Sequence, residues 1–334
     1  MTTRREILVA VGAGALASPF RSLAQRPAAK LYRVGALAIA GPTDKPPPPP
    51  ENWEAFVQGL RETGYIEGQN VAFESRSASG DPDRFPELAA DLVRRKVDVI
   101  FARGPEAVRA AKHATNLGAI PIVAIDLETD PVTAGFARGL ARPGGNITGM
   151  FLDLAEISGK QLELLKEMVP KLSRVGVLGH PVVNSSQLKA VEAAGVTVRI
   201  QIRTLELRDA KDIDGAFKTA TTWRAGGLIV LGSPLSLLHR ARVADLALKF
   251  RLPTMFGYRP HVEAGGLMSY GPTLADMFRR CGVYVGKILH GANPADLPIE
   301  RPARFELIIN QQTASALGIR IPQSILVRAD RVIE

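Results

Sequence analysis

A single cysteine, Cys281, stands in a chain of 334 residues. That count excludes an intrachain disulfide, a paired-cysteine redox motif and a multi-cysteine zinc site. It also excludes a racemase that needs one cysteine as acid and another as base. Set in a helical pattern, Cys281 reads as a small buried hydrophobe. Aromatic residues make up only 6% of the chain, and no apolar stretch beyond residue 20 is long enough to span a bilayer. The five histidines, His113, His180, His239, His261 and His290, lie far apart and lack metal-ligand spacing. There is no Gly-x-Ser-x-Gly elbow and no Walker loop, and Gly144-Gly145-Asn146 reads as a turn. No catalytic residue, metal or cofactor is expected.

What is present is a large apolar fraction, 46% of the residues, enough for two domains of roughly 100–200 residues each. The first 24 residues have the layout of an export signal. Arg4-Arg5 form a positive start, Ile7 to Ala17 an apolar run of 11 residues, and Ser22-Leu23-Ala24 a small-residue cleavage site before Gln25. The Thr3-Arg4-Arg5 start suggests the twin-arginine route. The expected location is therefore the periplasm. Cleavage leaves 39 basic against 32 acidic residues, and the net charge falls from +9 to +7. The excess is scattered in clusters such as Arg94-Arg95-Lys96 and Arg279-Arg280, each on the polar side of a helical pattern. Nucleic-acid binding wants a continuous basic face with stacking aromatics, so none is expected.

Strand and helix patterns alternate along the rest. Buried strands are predicted at Leu31–Ala38, Asn70–Ser75, Val97–Ala102 and Ile120–Ile125, with helices between them, one of them at Gly104–Leu117. The second half repeats this order, with strands at Arg174–Gly179, within Val196–Leu207, at Gly227–Leu231 and at Pro253–Phe256. Its helices begin at Asn184 and cover Asp212–Trp223 and Leu235–Phe250. The Gly41–Glu51 loop holds five consecutive prolines, Pro46 to Pro50, which favour a stiff extended segment. Two such series imply two Rossmann-like α/β lobes with parallel sheets. Ligands bind beyond the carboxyl ends of parallel strands, so both lobes can share one cleft. Closure of the lobes around a ligand is the natural motion.

Several residues qualify as functional candidates. Asp126, Glu128 and Asp130 follow a strand and suit acid/base work, recognition of an ammonium group, or turn capping, with Asp130-Pro131 shaped like a helix start. His180 follows the Arg174–Gly179 strand and is a candidate to face the cleft. Ser233 also follows a strand and suits a nucleophile or a pocket wall.

Certain phrases carry a family likeness: Arg61-Glu62-Thr63-Gly64-Tyr65-Ile66-Glu67-Gly68, Asp130-Pro131-Val132 and Leu140-Ala141-Arg142-Pro143-Gly144-Gly145-Asn146-Ile147-Thr148-Gly149. Further on come Gly265-Gly266-Leu267-Met268-Ser269-Tyr270-Gly271, Lys287-Ile288-Leu289-His290-Gly291, Ala295-Asp296-Leu297-Pro298 and Phe305-Glu306-Leu307-Ile308-Ile309-Asn310. In this order they resemble the ABC-transporter substrate-binding family that includes the tryptophan/tyrosine-binding proteins. The resemblance implies a type I periplasmic-binding-protein fold, with a first lobe of residues 30–148 plus 267–300 and a second of 149–266 plus 301–334. Crossings are expected near Thr148–Phe151, Gly265–Leu267 and Glu300–Arg304, with Gly149, Gly265 and Gly266 as hinges. It implies ligand contacts from Ala38, Arg103, Gly104, Asp126, Asp130, His180, Asn184 and Ser233, with Tyr258 and Tyr270 as aromatic walls. Similar proteins commonly place a small hydroxyl residue after the glycine at the Gly104 position. Pro105, with neither hydroxyl nor N–H, stands there, so Arg103 is the alternative carboxylate contact, or the ligand differs. The implied function is capture of a small-molecule ligand, an amino acid or related carboxylate, by a monomer that delivers it to the membrane permease of an ABC importer. A sensor feeding a membrane receptor and an exported enzyme are the alternatives.

Overall fold

The computed structural model describes residues 30–40, 50–115, 120–152 and 155–334. The export signal, most of the proline loop at 41–49 and the expected helix end at Leu117 lie outside them. The last of the five prolines opens a helix, where its fixed φ and missing N–H are tolerated.

The first lobe runs β1 (Tyr32–Ala38), α1 (Pro50–Arg61), β2 (Val71–Ser77), α2 (Phe85–Arg94), β3 (Val99–Arg103), α3 (Pro105–Ala114), β4 (Ile122–Asp126) and β5 (Ile147–Phe151). Its strands form one parallel sheet in the order β2-β1-β3-β4-β5. Both faces are covered, which is why β3, β4 and β5 are mostly apolar and buried along nearly all their length. One face carries a core around Phe56, Leu60 and Phe101, the other a core around Phe85, Leu92 and Ile100.

The second lobe runs α4 (Ala155–Met168), β6 (Arg174–Gly179), α5 (Ser185–Val198), β7 (Gln201–Glu206), α6 (Asp212–Thr222), β8 (Gly227–Val230), α7 (Pro234–Leu238), α8 (Arg240–Lys249), β9 (Thr254–Phe256), α9 (Arg259–Glu263) and β10 (Met268–Pro272). The chain then returns to the first lobe as α10 (Leu274–Leu289), which packs on α1 and on β3 to β5. It ends in the second lobe with β11 (Phe305–Asn310), α11 (Gln311–Leu317), α12 (Gln323–Leu326) and β12 (Arg331–Ile333). The second sheet has the order β12-β11-β10-β9-β8-β6-β7. Only the β10–β11 pairing in it is antiparallel, because β11 arrives from the other lobe.

Two lobe boundaries differ from the sequence reading. All of β5 pairs with β4, so the first passage comes after Phe151. β10 pairs with β9 and β11, so the second passage falls at Thr273, not at Gly265–Leu267. The third lies between Glu300 and Phe305, and the three passages run side by side. Glu300 donates its N–H to the Gly149 carbonyl (2.9 Å), and Thr273 donates its N–H to the Arg304 carbonyl (3.2 Å). The Glu300 carboxylate takes the Arg280 guanidinium (Nε at 2.7 Å) and the Tyr284 hydroxyl (2.8 Å).

The hinge assignments change accordingly. Gly265 and Gly266 join α9 to β10 within the second lobe. The Gly265 carbonyl accepts the Thr313 hydroxyl at 2.9 Å, and a Cβ on Gly266 would sit 2.5 Å from the Phe256 ring. Gly149 is near the passage but serves the sheet: at φ +133°, a Cβ there would lie 2.1 Å from the Ala124 carbonyl oxygen. One helix reading also changes. The helix predicted over Leu235–Phe250 breaks at His239 into α7 and α8. The strand expected within Val196–Leu207 is β7, and Val196–Val198 before it finish α5, which ends at Arg199 in the left-handed region.

Candidate functional site

The carboxyl ends of β1, β3 and β4 face those of β8 and β9 across the cleft. Between them lies a cavity of about 100 Å³. The first lobe contributes Ala38 to Ala40 after β1, Arg103-Gly104 after β3, and Ile125, Leu127 and Glu128 at the end of β4. Asn52 of α1, and Leu274 and Phe278 of α10, close its back. The second lobe contributes Ser233, Pro234, Leu237, Leu238 and Tyr258.

Local chemistry explains each placement. Gly104 precedes α3 at φ +88°, a conformation suited to glycine. A Cβ there would also lie 2.7 Å from the Pro234 ring of the opposite lobe, so the lobes are in direct contact. Ser233 caps α7: its hydroxyl oxygen accepts the Ser236 N–H (3.1 Å), and the Ser236 hydroxyl oxygen accepts the Ser233 N–H (3.1 Å). This capping box turns Leu237 and Leu238 into the cleft. The buried His261 lies 3.1 Å from the Ser236 carbonyl and 3.3 Å from the Tyr258 carbonyl, tying the two second-lobe loops together. Burial pushes His261 down to about 4, so it stays neutral.

The walls are mostly apolar, with three polar groups among them that matter chemically. Arg103 donates through Nη2 to the Ala40 carbonyl (3.2 Å), while its Nε has no partner among the described residues. Burial lowers its guanidinium to about 10, which leaves it charged at neutral pH. Glu128 is 5% exposed. It accepts the Tyr258 hydroxyl (3.2 Å) across the cleft and the Leu127 N–H (3.1 Å), and no cation lies within ion-pair range of it among the described residues. Burial, then the charge of Asp126, pushes Glu128 well above the usual carboxylate range. Tyr258 is raised as well, by burial and then by Glu128. Such a carboxylate stays ionised only when a cation compensates it.

Of the residues singled out from the sequence, Ala38, Arg103, Gly104, Ser233 and Tyr258 line this cavity. Asp126 stands behind it, fully buried: Oδ1 accepts the N–H groups of Glu128 and Thr129 (both 3.1 Å), and Oδ2 has no partner among the described residues. Burial raises Asp126 to about 7. Asp130 caps a turn through the Thr133 N–H (2.6 Å), and no helix follows it, contrary to the sequence reading. His180 lines a second, more polar cavity of about 490 Å³ at the cleft mouth, which shares Arg103 and Ser233 with the first. Its Nδ1 accepts the N–H groups of Val182 and Val183. Asn184 is fully buried, accepting the His180 N–H and donating to the Gly232 carbonyl, and so props the loop without reaching the ligand space. Tyr270 is no cavity wall: it lies in β10 with its ring 6.2 Å from that of Phe305.

Asn52, Leu274 and Phe278 carry no signal of their own in the sequence, since α1 and α10 read as ordinary amphipathic helices. Strand alternation could not have separated Glu128 from Asp126, because residues two apart share a face and β4 ends at Asp126. Asp126 and Glu128 are two apart, and an apolar Leu127 lies between them. Among the described residues, no group of three or more His, Cys, Asp or Glu side chains is placed to hold a metal ion. No helix among them is long and apolar enough to cross a membrane.

Comparison with known proteins bears on this site. Residues 50–333 match the family model of the ABC transporter substrate binding proteins. A tyrosine-binding protein of Clostridioides difficile is 26% identical over 272 residues, covering 80% of this chain and 76% of that protein. A conserved domain protein from Vibrio cholerae superposes with a TM-score of 0.81 at 25% identity, covering 90% of this chain and 99% of its own. An ABC domain from Streptococcus pneumonia in complex with L-Trp has the same fold, with a TM-score of 0.81 at 24% identity, covering 91% of this chain and 100% of its own.

Proposed function

The chain belongs to the family of ABC transporter substrate binding proteins, and we propose that the solute it captures is a small zwitterion of the amino-acid class. The observation that carries this reading is one cavity lined by a buried guanidinium with an unpartnered N–H, Arg103, and a buried carboxyl with no cation beside it, Glu128. A solute carboxylate meets the unpartnered Nε–H of Arg103, and a solute ammonium meets Glu128 and draws it into its ionised form. Arg103 thus takes the role that the α3 N-terminus loses through Pro105. The relative with a tyrosine-binding name and the L-Trp complex support the same class. Both lobes contact the solute, so capture and closure are one event.

In this reading residues 1–24 direct export to the periplasm. The folded monomer binds its solute without transforming it, and the closed form docks on a membrane permease. The test is isothermal titration of protein stripped of solute by unfolding and refolding. At least one L-amino acid binds, is recovered unchanged, and loses roughly 10²–10³-fold in affinity in Glu128→Gln, as when one partner of a buried charge pair is removed. Equal affinity for the amino acid and its deaminated analogue would sink the assignment of Glu128.

A further inference from the structure

The two ends of a zwitterion leave one polar wall of the cavity unused. Asn52 stands on the buried stripe of α1, with Phe56, Gly59 and Leu60 along the same side of the helix. It is 6% exposed and lines the cavity together with Leu274 and Phe278 of α10. Its carboxamide has no hydrogen-bond partner among the described residues.

Two other buried amides are tied down. Gln161 donates to the Tyr270 carbonyl at 2.7 Å, and Asn184 accepts the His180 N–H at 2.8 Å and donates to the Gly232 carbonyl at 3.1 Å. A buried amide without partners costs free energy, and proteins keep one where water or a ligand supplies the missing bonds. The Asn52 carboxamide offers one carbonyl acceptor and two N–H donors. These suit a hydroxyl, an amide or a ring N–H. They do not suit an ion. The charged side chains of the cavity, Arg103 and Glu128, take the two ends of the solute, so a further charge at Asn52 would be buried without a counter-ion.

We propose that the captured solute is an amino acid whose side chain carries a neutral hydrogen-bonding group, and that Asn52 is the residue that reads it. This inference rests on the zwitterion reading above and adds the side-chain chemistry. A solute with the polar group replaces water on the Asn52 carboxamide bond for bond. An apolar solute of the same shape strips that water and returns nothing, which is how a site built around a hydrogen bond rejects the analogue lacking it.

The experiment is isothermal titration of the stripped full-length protein with four matched pairs of solutes. They are L-serine and L-2-aminobutyrate, L-threonine and L-valine, L-asparagine and L-leucine, and L-tyrosine and L-phenylalanine. In at least one pair the polar member is expected to bind at least about fivefold tighter, the penalty of leaving a buried amide unpaired. In Asn52→Leu that preference disappears or reverses. Without solute, Asn52→Leu is expected to hold or raise the thermal midpoint, because an apolar side chain of similar shape replaces an unpaired amide. Apolar members binding as tightly as their polar partners in all four pairs would overturn the inference and leave the zwitterion reading standing. Binding by none of the eight would overturn both. A polar preference unchanged in Asn52→Leu would take the recognition away from Asn52, a result read from relative affinities and so insensitive to a general loss of stability. A lowered midpoint in the variant would make Asn52 a structural amide and overturn its assignment.

Discussion

Asp126 and Glu128 sit two residues apart and do different work. Asp126 holds the turn after β4 and never reaches the cavity, whereas Glu128 lines it. The burial of Asp126 has a measurable consequence. Its folded-state value of about 7 lies above the unfolded value of ~3.9. Between these two pH values the folded state holds a proton that the unfolded state has released. Stability therefore falls as pH rises through that window, and the loss is complete above about 7. The expected result is a thermal midpoint that declines between pH 4 and pH 7 and flattens in Asp126→Asn, with a gain at neutral pH of at most about 4 kcal/mol. A slope unchanged by the substitution would assign the decline to other groups. The sequence marked the acidic run but could not rank its members, because only burial separates a capping carboxylate from one that needs a partner.

Among the elements, α10 shows best how packing overrides reading order. It follows a strand of the second sheet, yet it packs in the first lobe against α1. The contact depends on two glycines, Gly59 and Gly282, that let the helix backbones meet. A methyl group at Gly282 cannot be accommodated by rotating a side chain, since the atom it meets is a backbone carbonyl. Gly282→Ala is expected to lower stability by about 3 kcal/mol or more in denaturant titrations. A loss below about 1 kcal/mol would show that the helices slide apart easily. The apolar periodicity of α1 and the runs in β1, β3 and β4 were legible because both are local patterns of burial. The lobe membership of β10 was not, since hydrogen bonding to β9 and β11 leaves no mark in a five-residue strand.

For the whole molecule, one polar contact that joins the lobes at the cavity is the hydroxyl of Tyr258 on Glu128. Tyr258 and Leu237 also pack against the first lobe's core. Tyr258→Phe keeps the apolar packing and removes the hydrogen bond, a net change of about 1 kcal/mol. Small-angle scattering is expected to show a larger radius of gyration without solute, and titration an affinity about fivefold weaker. Identical scattering curves and affinities would show that apolar contacts alone hold the lobes together.

By itself the amino-acid sequence determined the two α/β series, the family and several of the loops that line the cavity. Those features rest on burial periodicity and on short phrases contiguous in the chain. It also placed Arg103, Gly104, Ser233 and Tyr258 at strand ends, where a parallel sheet presents them. Tertiary structure alone decided that Asn184 and Tyr270 support the fold, that Gly265 and Gly266 are no hinges, and that Asn52 and Phe278 reach the cavity. The physical reason is that a cavity is a distance between residues remote in the chain. It is set by how two lobes and α10 close on one another, and no stretch of sequence encodes that separation locally.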